Sequence, residues 1–176
     1  LTEEQISDDG SYSMFAVNSA WVGGGLEISK EMKKQGVQSC WSNYISVSNL
    51  EEYTKKAEKL GAKIIKAPFE VSDAGKTAVL SDPAGAIFNL WQPLKQQGFG
   101  AFTYGVHGTP AWFELSTHDE EVSGKFYCSL FSWLPESMKM ETGNYTIYKL
   151  NGREIAGMFK MGAEMKDIPS NWLVYF

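Results

Sequence analysis

The sequence predicts an α+β fold of tandem βαβββ modules, and three observations carry that reading. First, the chain repeats itself: "GSYSMFAVNSAWVGGGLEISKEM" from Gly10 to Met32 lies over "GNYTIYKLNGREIAGMFKMGAEM" from Gly143 to Met165. Gly10, Tyr12, Asn18, Gly24, Glu31 and Met32 meet identical partners in Gly143, Tyr145, Asn151, Gly157, Glu164 and Met165. Second, two helical patterns each follow one strand pattern and precede three more. Third, a glycine-rich stretch without period, "LKQQGFGAFTYGVHGTP", separates the two halves.

The elements follow in order. "WVGGG" (Trp21 to Gly25) is the sole glycine cluster, and its repeat partner "EIAGM" marks it as a strand where backbones approach closely, not a phosphate cradle. Residues 41–47 alternate with the period of a strand. Ser48 and Glu51 form a capping box, so a helix is expected near Asn49, with Leu50, Tyr53, Ala57 and Leu60 on its apolar face. Gly61 closes it in the left-handed conformation. "AKIIKAPFEV" reads as a strand broken at Pro68. "GKTAVLSD" and "GAIFNLWQ" are strands joined by an Asp-Pro-Ala-Gly turn.

The second half repeats this order. "AWFELST" is a strand, and Thr117 with Glu120 forms the second capping box. Its helix is expected to run to about Phe131, with Val122, Phe126, Tyr127, Leu130 and Phe131 buried. Strands follow at "SWLPESMKM", "NYTIYKL" and "REIAGMFKM". Beyond the matched hairpins, "CWSNYISV" meets "NWLVYF" and pairs Trp41 with Trp172, a separation of 131 residues.

Two full repeats would exceed the 176 residues present. The chain is therefore expected to open inside one module (1–35), continue through a complete module (41–93, the two making up 1–93) and a linker (94–110), and then run through a further module (111–176) that ends with the first strand of another. It reads as a fragment or a truncated relative, and its apolar last strand is expected to need a neighbour.

Composition narrows the function classes. A net charge of −5 argues against nucleic-acid binding, which needs clustered Lys and Arg. No apolar run reaches the length of a membrane span, and no secretory leader pattern is visible. Cys40 and Cys128 stand in no metal or redox spacing and fit a reducing cytoplasm. Cys128, inside an apolar helical pattern, is expected to act as a small core hydrophobe.

The motifs "VSNLEEYTKKAEKLGAKIIKAPFEV", "AVLSDPAGAIFNLWQP", "YTIYKLNGREIAGMFKM" and "NWLVYF", in this order, resemble the vicinal oxygen chelate superfamily. That group includes glyoxalases, bleomycin- and fosfomycin-resistance proteins and extradiol dioxygenases, and the likeness is greatest to its two-domain glyoxalase-like bacterial members. The resemblance implies cupped mixed sheets, with metal ligands on the first strand of a module (His or Gln) and on its last (Glu). Carried over, these positions fall on Ser42, Asn89, Trp112 and Leu173, none of which is His, Gln or Glu. Neutral Ser and Asn replace imidazole and carboxylate poorly. Glu114 shares a strand face with Trp112 and offers one carboxylate. His107, in the linker, and His118, at a helix start, are expected to be solvent-exposed.

The expected function is therefore a metal-free small-molecule binder of the glyoxalase or bleomycin-resistance type. Its cup would be lined by Ser42, Tyr44, Asn89, Trp91, Trp112 and Glu114, with Phe113 and Tyr175 adding aromatic surface. No cofactor is expected; a divalent metal enters only under the alternative, a lyase or dioxygenase whose ligands come from absent segments or a partner chain. A third reading is a structural relative without activity. Expected partners are a small-molecule ligand and a second copy in a homodimer, the alternative to the dimer being that the two complete modules fold on each other, with no nucleic acid and no membrane.

Overall fold

The computed structural model describes residues 1–7, 10–98, 106–141 and 143–176. The chain divides into two compact units. One holds Ser42–Gln96 and Trp112–Val174, and the other Leu1–Trp41, Gln97–Ala111 and Tyr175–Phe176. Residues 99–105 of the expected linker lie outside the described residues.

The larger unit contains both complete modules. In the first, a four-stranded sheet is built from β4 (Tyr44–Ser46), β5 (Lys63–Val71), β6 (Gly75–Ser81) and β7 (Ile87–Pro93), in the order β4-β7-β6-β5. The helix α2 (Leu50–Lys59) connects β4 to β5. In the second, β8 (Trp112–Thr117) leads through α3 (Glu120–Phe131) to β9 (Leu134–Met140), β10 (Gly143–Leu150) and β11 (Arg153–Lys160). Its sheet gains β12 (Asn171–Tyr175) and runs β12-β8-β11-β10-β9. In each module the first strand pairs parallel with the last, and hairpins make the remaining pairs antiparallel. A short 3-10 turn, Ala163–Met165, precedes β12.

Both helices start with an Asx cap, not at the expected capping boxes. Asn49 Oδ1 accepts from the Glu52 amide at 3.1 Å, and Asp119 Oδ1 from the Val122 amide at 3.0 Å. Thr117 turns inward, where its hydroxyl meets that of Ser123 at 2.9 Å. Gly61 takes φ +98, as its place after α2 requires. The expected break at Pro68 is absorbed as register irregularities within a continuous β5. On α3, Ser123 is buried where Val122 was expected, and Val122 stays 38% exposed.

The two modules share one core. Leu50 and Ala57 of α2, with Leu80, Phe88 and Leu90 of its sheet, join Phe126, Tyr127 and Leu130 of α3 and Leu115 and Tyr148 of the second sheet. Each large side chain fully buried here contributes about 1.5 to 3 kcal/mol relative to exposure. Tyr127 is the junction: its ring meets Phe88, Phe126, Trp133 and Trp172 at centroid distances of 5.0 to 5.8 Å. The Trp172 indole donates to its hydroxyl at 2.8 Å. Lys56 of α2 reaches the Leu130 carbonyl at 2.8 Å and so caps the end of α3.

The smaller unit carries the sheet β1-β2-β3, from β1 (Thr2–Gln5), β2 (Tyr12–Val17) and β3 (Ala20–Leu26), followed by the short α1 (Lys30–Lys34). The β2–β3 hairpin reproduces β10–β11. Met14 faces Gly24 as Ile147 faces Gly157, and the bulge falls at the same place, after Phe15 and after Tyr148. The two-residue turns agree as well, with positive φ at Asn18 and Ser19 and at Asn151 and Gly152. The repeat seen in the letters is thus a repeat of register. Among the described residues no helix is long and apolar enough to cross a membrane.

Asp82 ties the Asp-Pro-Ala-Gly turn to this core. Its Oδ1 accepts the amides of Ala84 and Ala86, each at 2.9 Å, and Gly85 turns the chain at φ +98. Its Oδ2 is buried without a hydrogen bond of good geometry. Burial raises the Asp82 carboxyl above its ordinary range, against the pull of the Ala86 amide, the Tyr127 hydroxyl and the Ala84 amide. A carboxyl raised in the fold stabilises it fully at low pH, and that contribution is lost as pH rises through the folded value. Asp82→Asn keeps the acceptor and removes the charge. Its melting temperature relative to wild type is expected to climb as pH rises from about 4 to 7. A pH-independent difference in thermal melts would contradict this.

Candidate ligand-binding faces

Five of the six expected site residues lie on two sheet faces, not around one cup. Because residues alternate along a strand, the side chains between the core positions point away from the helices. On the four-stranded sheet that face carries Tyr44, Asn89 and Trp91, with Tyr44 opposite Asn89 and Trp91 opposite Thr77, while Ser42 lies before β4 and outside the pairing. On the five-stranded sheet it carries Trp112 and Glu114, with Glu114 opposite Gly157. The modules bury their helix-bearing sides in one core, so the two open faces are directed apart. Phe113, expected as a lining residue, packs against the core instead, one position out of phase with Trp112 and Glu114.

Ser42 is exposed, and on the first face Tyr44 is 55% exposed, its ring edge-on to Trp91 at 6.2 Å. Asn89 is buried, and its side-chain amide donates to the Asn43 carbonyl at 3.0 Å. The polar residue in "AIFNLWQ" thus ties β7 to the residue preceding β4. Trp91 lies across Gly75, where a Cβ would stand 2.5 Å from the indole and 2.7 Å from the Gln92 carbonyl. Its Nε1 donates to the Gln96 carbonyl at 3.0 Å.

The second face holds a hydrogen-bonded cluster. The Trp112 indole donates to the Tyr145 hydroxyl at 2.8 Å, and that hydroxyl donates to Glu114 Oε2 at 2.6 Å. The short second bond is the length expected of a donor meeting a carboxylate. Tyr145 can cross to β8 because residue 157 is glycine: a Cβ there would overlap the Tyr145 hydroxyl and stand 2.9 Å from Trp112 Nε1. Sequence reasoning missed Tyr145 and Gly157. The signal was present, since Tyr12 and Gly24 are their identical partners in the repeat, and Tyr12 lies over Gly24 in the same way.

The positions that would hold a divalent ion do not fit one. Trp112 and Leu173 offer no ligand atom, Asn89 offers only a neutral amide whose Nδ2 already donates to the Asn43 carbonyl, and Glu114 stands beside an indole and a phenol, with no imidazole among these positions. Among the described residues no group of three or more His, Cys, Asp or Glu stands close enough to hold a metal. His107 is exposed in a turn. His118 is exposed as expected, and its Nε2 bonds the Ile168 carbonyl at 2.7 Å, fastening the start of α3 to the segment before β12.

Paired open-faced sheets, each with its first and last strands parallel and its helix on the far side, define an α+β fold of cupped mixed sheets. No protein-family model matches the chain. Over 143 residues, 81% of the chain, it is 30% identical to CFP32 of Mycobacterium tuberculosis and of Mycobacterium bovis, a protein named as a glyoxylase. It is 27% identical over 143 residues to the anthracycline biosynthesis protein DnrV of Streptomyces peucetius. These alignments cover 53% and 51% of those proteins, so the chain spans about half the length of the curated relatives it matches. In fold it is similar to a Mn(II)-bound glyoxalase from Novosphingobium aromaticivorans, with TM-score 0.59 and 12% identity over 90% of the chain and 54% of that protein. It is also similar to BphC, a halotolerant catechol dioxygenase, with TM-score 0.55 and 16% identity over 90% of the chain and 56% of that protein. These likenesses agree with the fold of the vicinal oxygen chelate superfamily, and in sequence the chain is similar to the glyoxylase-named protein over about half of that protein's length.

Gly157→Ala forces the Tyr145 ring off its seat and is expected to destabilise the protein by about 1 to 3 kcal/mol, the usual cost of overpacking. Adding Tyr145→Ala should relieve most of that clash, so the double variant should lose less than the sum of the singles in urea melts. Strict additivity would show that the two residues do not meet.

Proposed function

We propose that the open faces bind a small aromatic or apolar molecule without a metal. The observation that carries this reading is the Trp112–Tyr145–Glu114 cluster, an indole, a phenol and a carboxylate bonded to one another at the first-strand position where metal-using relatives would carry a ligand. Apolar surface with a few placed polar groups is the usual composition of a small-molecule site. On this face Ile147 stands opposite Gly157, and Met138 and Phe159 flank Tyr145 in register. The names of the relatives, a glyoxylase and an anthracycline biosynthesis protein, agree with a small organic ligand. The two cysteines are free, which supports a reducing, cytoplasmic setting.

Metal content tests the reading directly. Protein purified without chelator is expected to carry less than stoichiometric divalent metal, and its melting temperature should not move when EDTA is added. One tightly held ion per chain would overturn the metal-free reading in favour of a lyase or dioxygenase completed from elsewhere.

We also propose a homodimer, supported by apolar residues on the edge strand β9, where Leu134 is 65% and Met140 54% exposed. Light scattering is expected to return twice the chain mass; the mass of one chain would contradict it.

A further inference from the structure

We infer that the groove between α3 and the outer strands β9 and β10 of the five-stranded sheet is a second binding site, suited to a compact neutral molecule rich in hydroxyl groups. It lies on the helix-bearing side of that sheet and does not rest on the reading of the open faces. The groove has a volume of about 390 Å³, within the range of small-molecule sites. Its helix wall carries Glu120, Gly124 and Cys128, spaced one turn apart on α3. Pro135 and Ser137 of β9, with Asn144 and Thr146 of β10, form the sheet wall.

Two features of α3 leave the groove open. Gly124 stands inside the helix, where glycine is weaker than alanine. Neither backbone nor space requires it: its φ is not positive, and a Cβ there would meet Met158 Cε at 3.7 Å and the Tyr148 hydroxyl at 3.9 Å, ordinary contacts. The other helix shows the contrast. Counted from the caps Asn49 and Asp119, Glu120 and Gly124 hold the stations of Leu50 and Thr54 on α2. Leu50 and Thr54 are both buried, whereas α3 puts a half-buried carboxylate and no side chain at these stations. On the sheet wall, Thr146 is only 8% exposed, and its hydroxyl lies 3.4 Å from that of Ser137. That is long for a bond between hydroxyls, so both keep capacity for a ligand.

The charges around the groove choose the ligand. An anion would meet the carboxylates of Glu120 and Glu121 in the first turn of α3. A cation would meet the positive end of the helix dipole, Lys125, which pairs with Glu121 at 2.6 Å, and Lys139, in register with Asn144. A neutral hydroxyl avoids both. It donates to a carboxylate and accepts from the Asn144 amide, while the hydroxyls of Ser137 and Thr146 do either. Pro135 and Met158 give apolar surface for its carbon skeleton.

Sorbitol, N-methylglucamine and gluconate share one polyol chain and differ in charge. Each is titrated into the whole chain and followed at the backbone amides of Gly124, Ser137 and Thr146 in a nitrogen–proton correlation spectrum. Sorbitol is expected to shift all three with saturation and to bind at least about threefold more tightly than either charged probe. Gly124→Leu fills the groove and should abolish those shifts. Thr146→Val removes the hydroxyl and should weaken sorbitol about three- to tenfold. Gly124→Ala should raise the melting temperature, because its Cβ has room and alanine favours the helix. A lowered melting temperature would show that α3 needs its glycine and would overturn the inference. Shifts that are missing, or that survive both Gly124→Leu and Thr146→Val unchanged, would overturn the site. A charged probe that binds as well as sorbitol would overturn the ligand class. The open faces are judged separately, since sorbitol should leave the Trp112 indole resonance in place.

Discussion

The structure turns on Tyr127. A phenol with no exposed surface sits where the two modules and the added strand β12 meet, ringed by Phe88, Phe126, Trp133, Tyr148 and Trp172. Burial raises its hydroxyl well above the ordinary tyrosine range, with the nearby Asp82 charge adding to the rise, so it stays neutral. A neutral hydroxyl can receive the Trp172 indole and lie beside Asp82 without an unpaired charge in the core. Every large neighbour of this ring comes from the helix-bearing side of a module. Once those sides are joined, the opposite sides take no part in this core, and the candidate binding residues of both sheets stand there.

The two open faces share a construction and differ in chemistry. Each seats an aromatic ring over a glycine of a neighbouring strand, Trp91 over Gly75 and Tyr145 over Gly157. Such seating covers backbone that glycine would otherwise leave bare and fixes the ring without a side chain beneath it. On the four-stranded sheet the polar groups turn to the backbone, with Asn89 bonded to the Asn43 carbonyl and Trp91 to that of Gln96. On the five-stranded sheet Trp112, Tyr145 and Glu114 turn to each other. That difference makes the second face the chemically directed one.

Much of the fold was legible in the letters because the repeat was. The hairpins, the parallel first and last strands and the Asp-Pro-Ala-Gly turn follow from period, turn residues and order. Helix starts moved by one or two residues, because Asn49 and Asp119 compete better for the first free amides than the hydroxyls of Ser48 and Thr117. Alternation placed Ser42 with Tyr44 and Asn89 with Trp91, yet it could not say which side of one module meets which side of the other. That is a tertiary choice made by Phe126, Tyr127 and Trp172, and it divides the expected single cup into two faces. Asn89 was readable as polar and uncharged, but its engagement with the backbone depends on the β4–β7 register.

The central claim is that the Trp112–Tyr145–Glu114 cluster is a ligand-contacting surface that works without a metal. The most direct measurement is the indole region of a nitrogen–proton correlation spectrum, recorded with chelator present while a small aromatic molecule such as 4-ethylphenol is added. The Trp112 Nε1–H resonance, whose proton bonds Tyr145, should shift with saturation, and that of the buried Trp172 should stay in place. A Trp112 resonance that stays still, or one that moves only after a divalent ion is supplied, would contradict it.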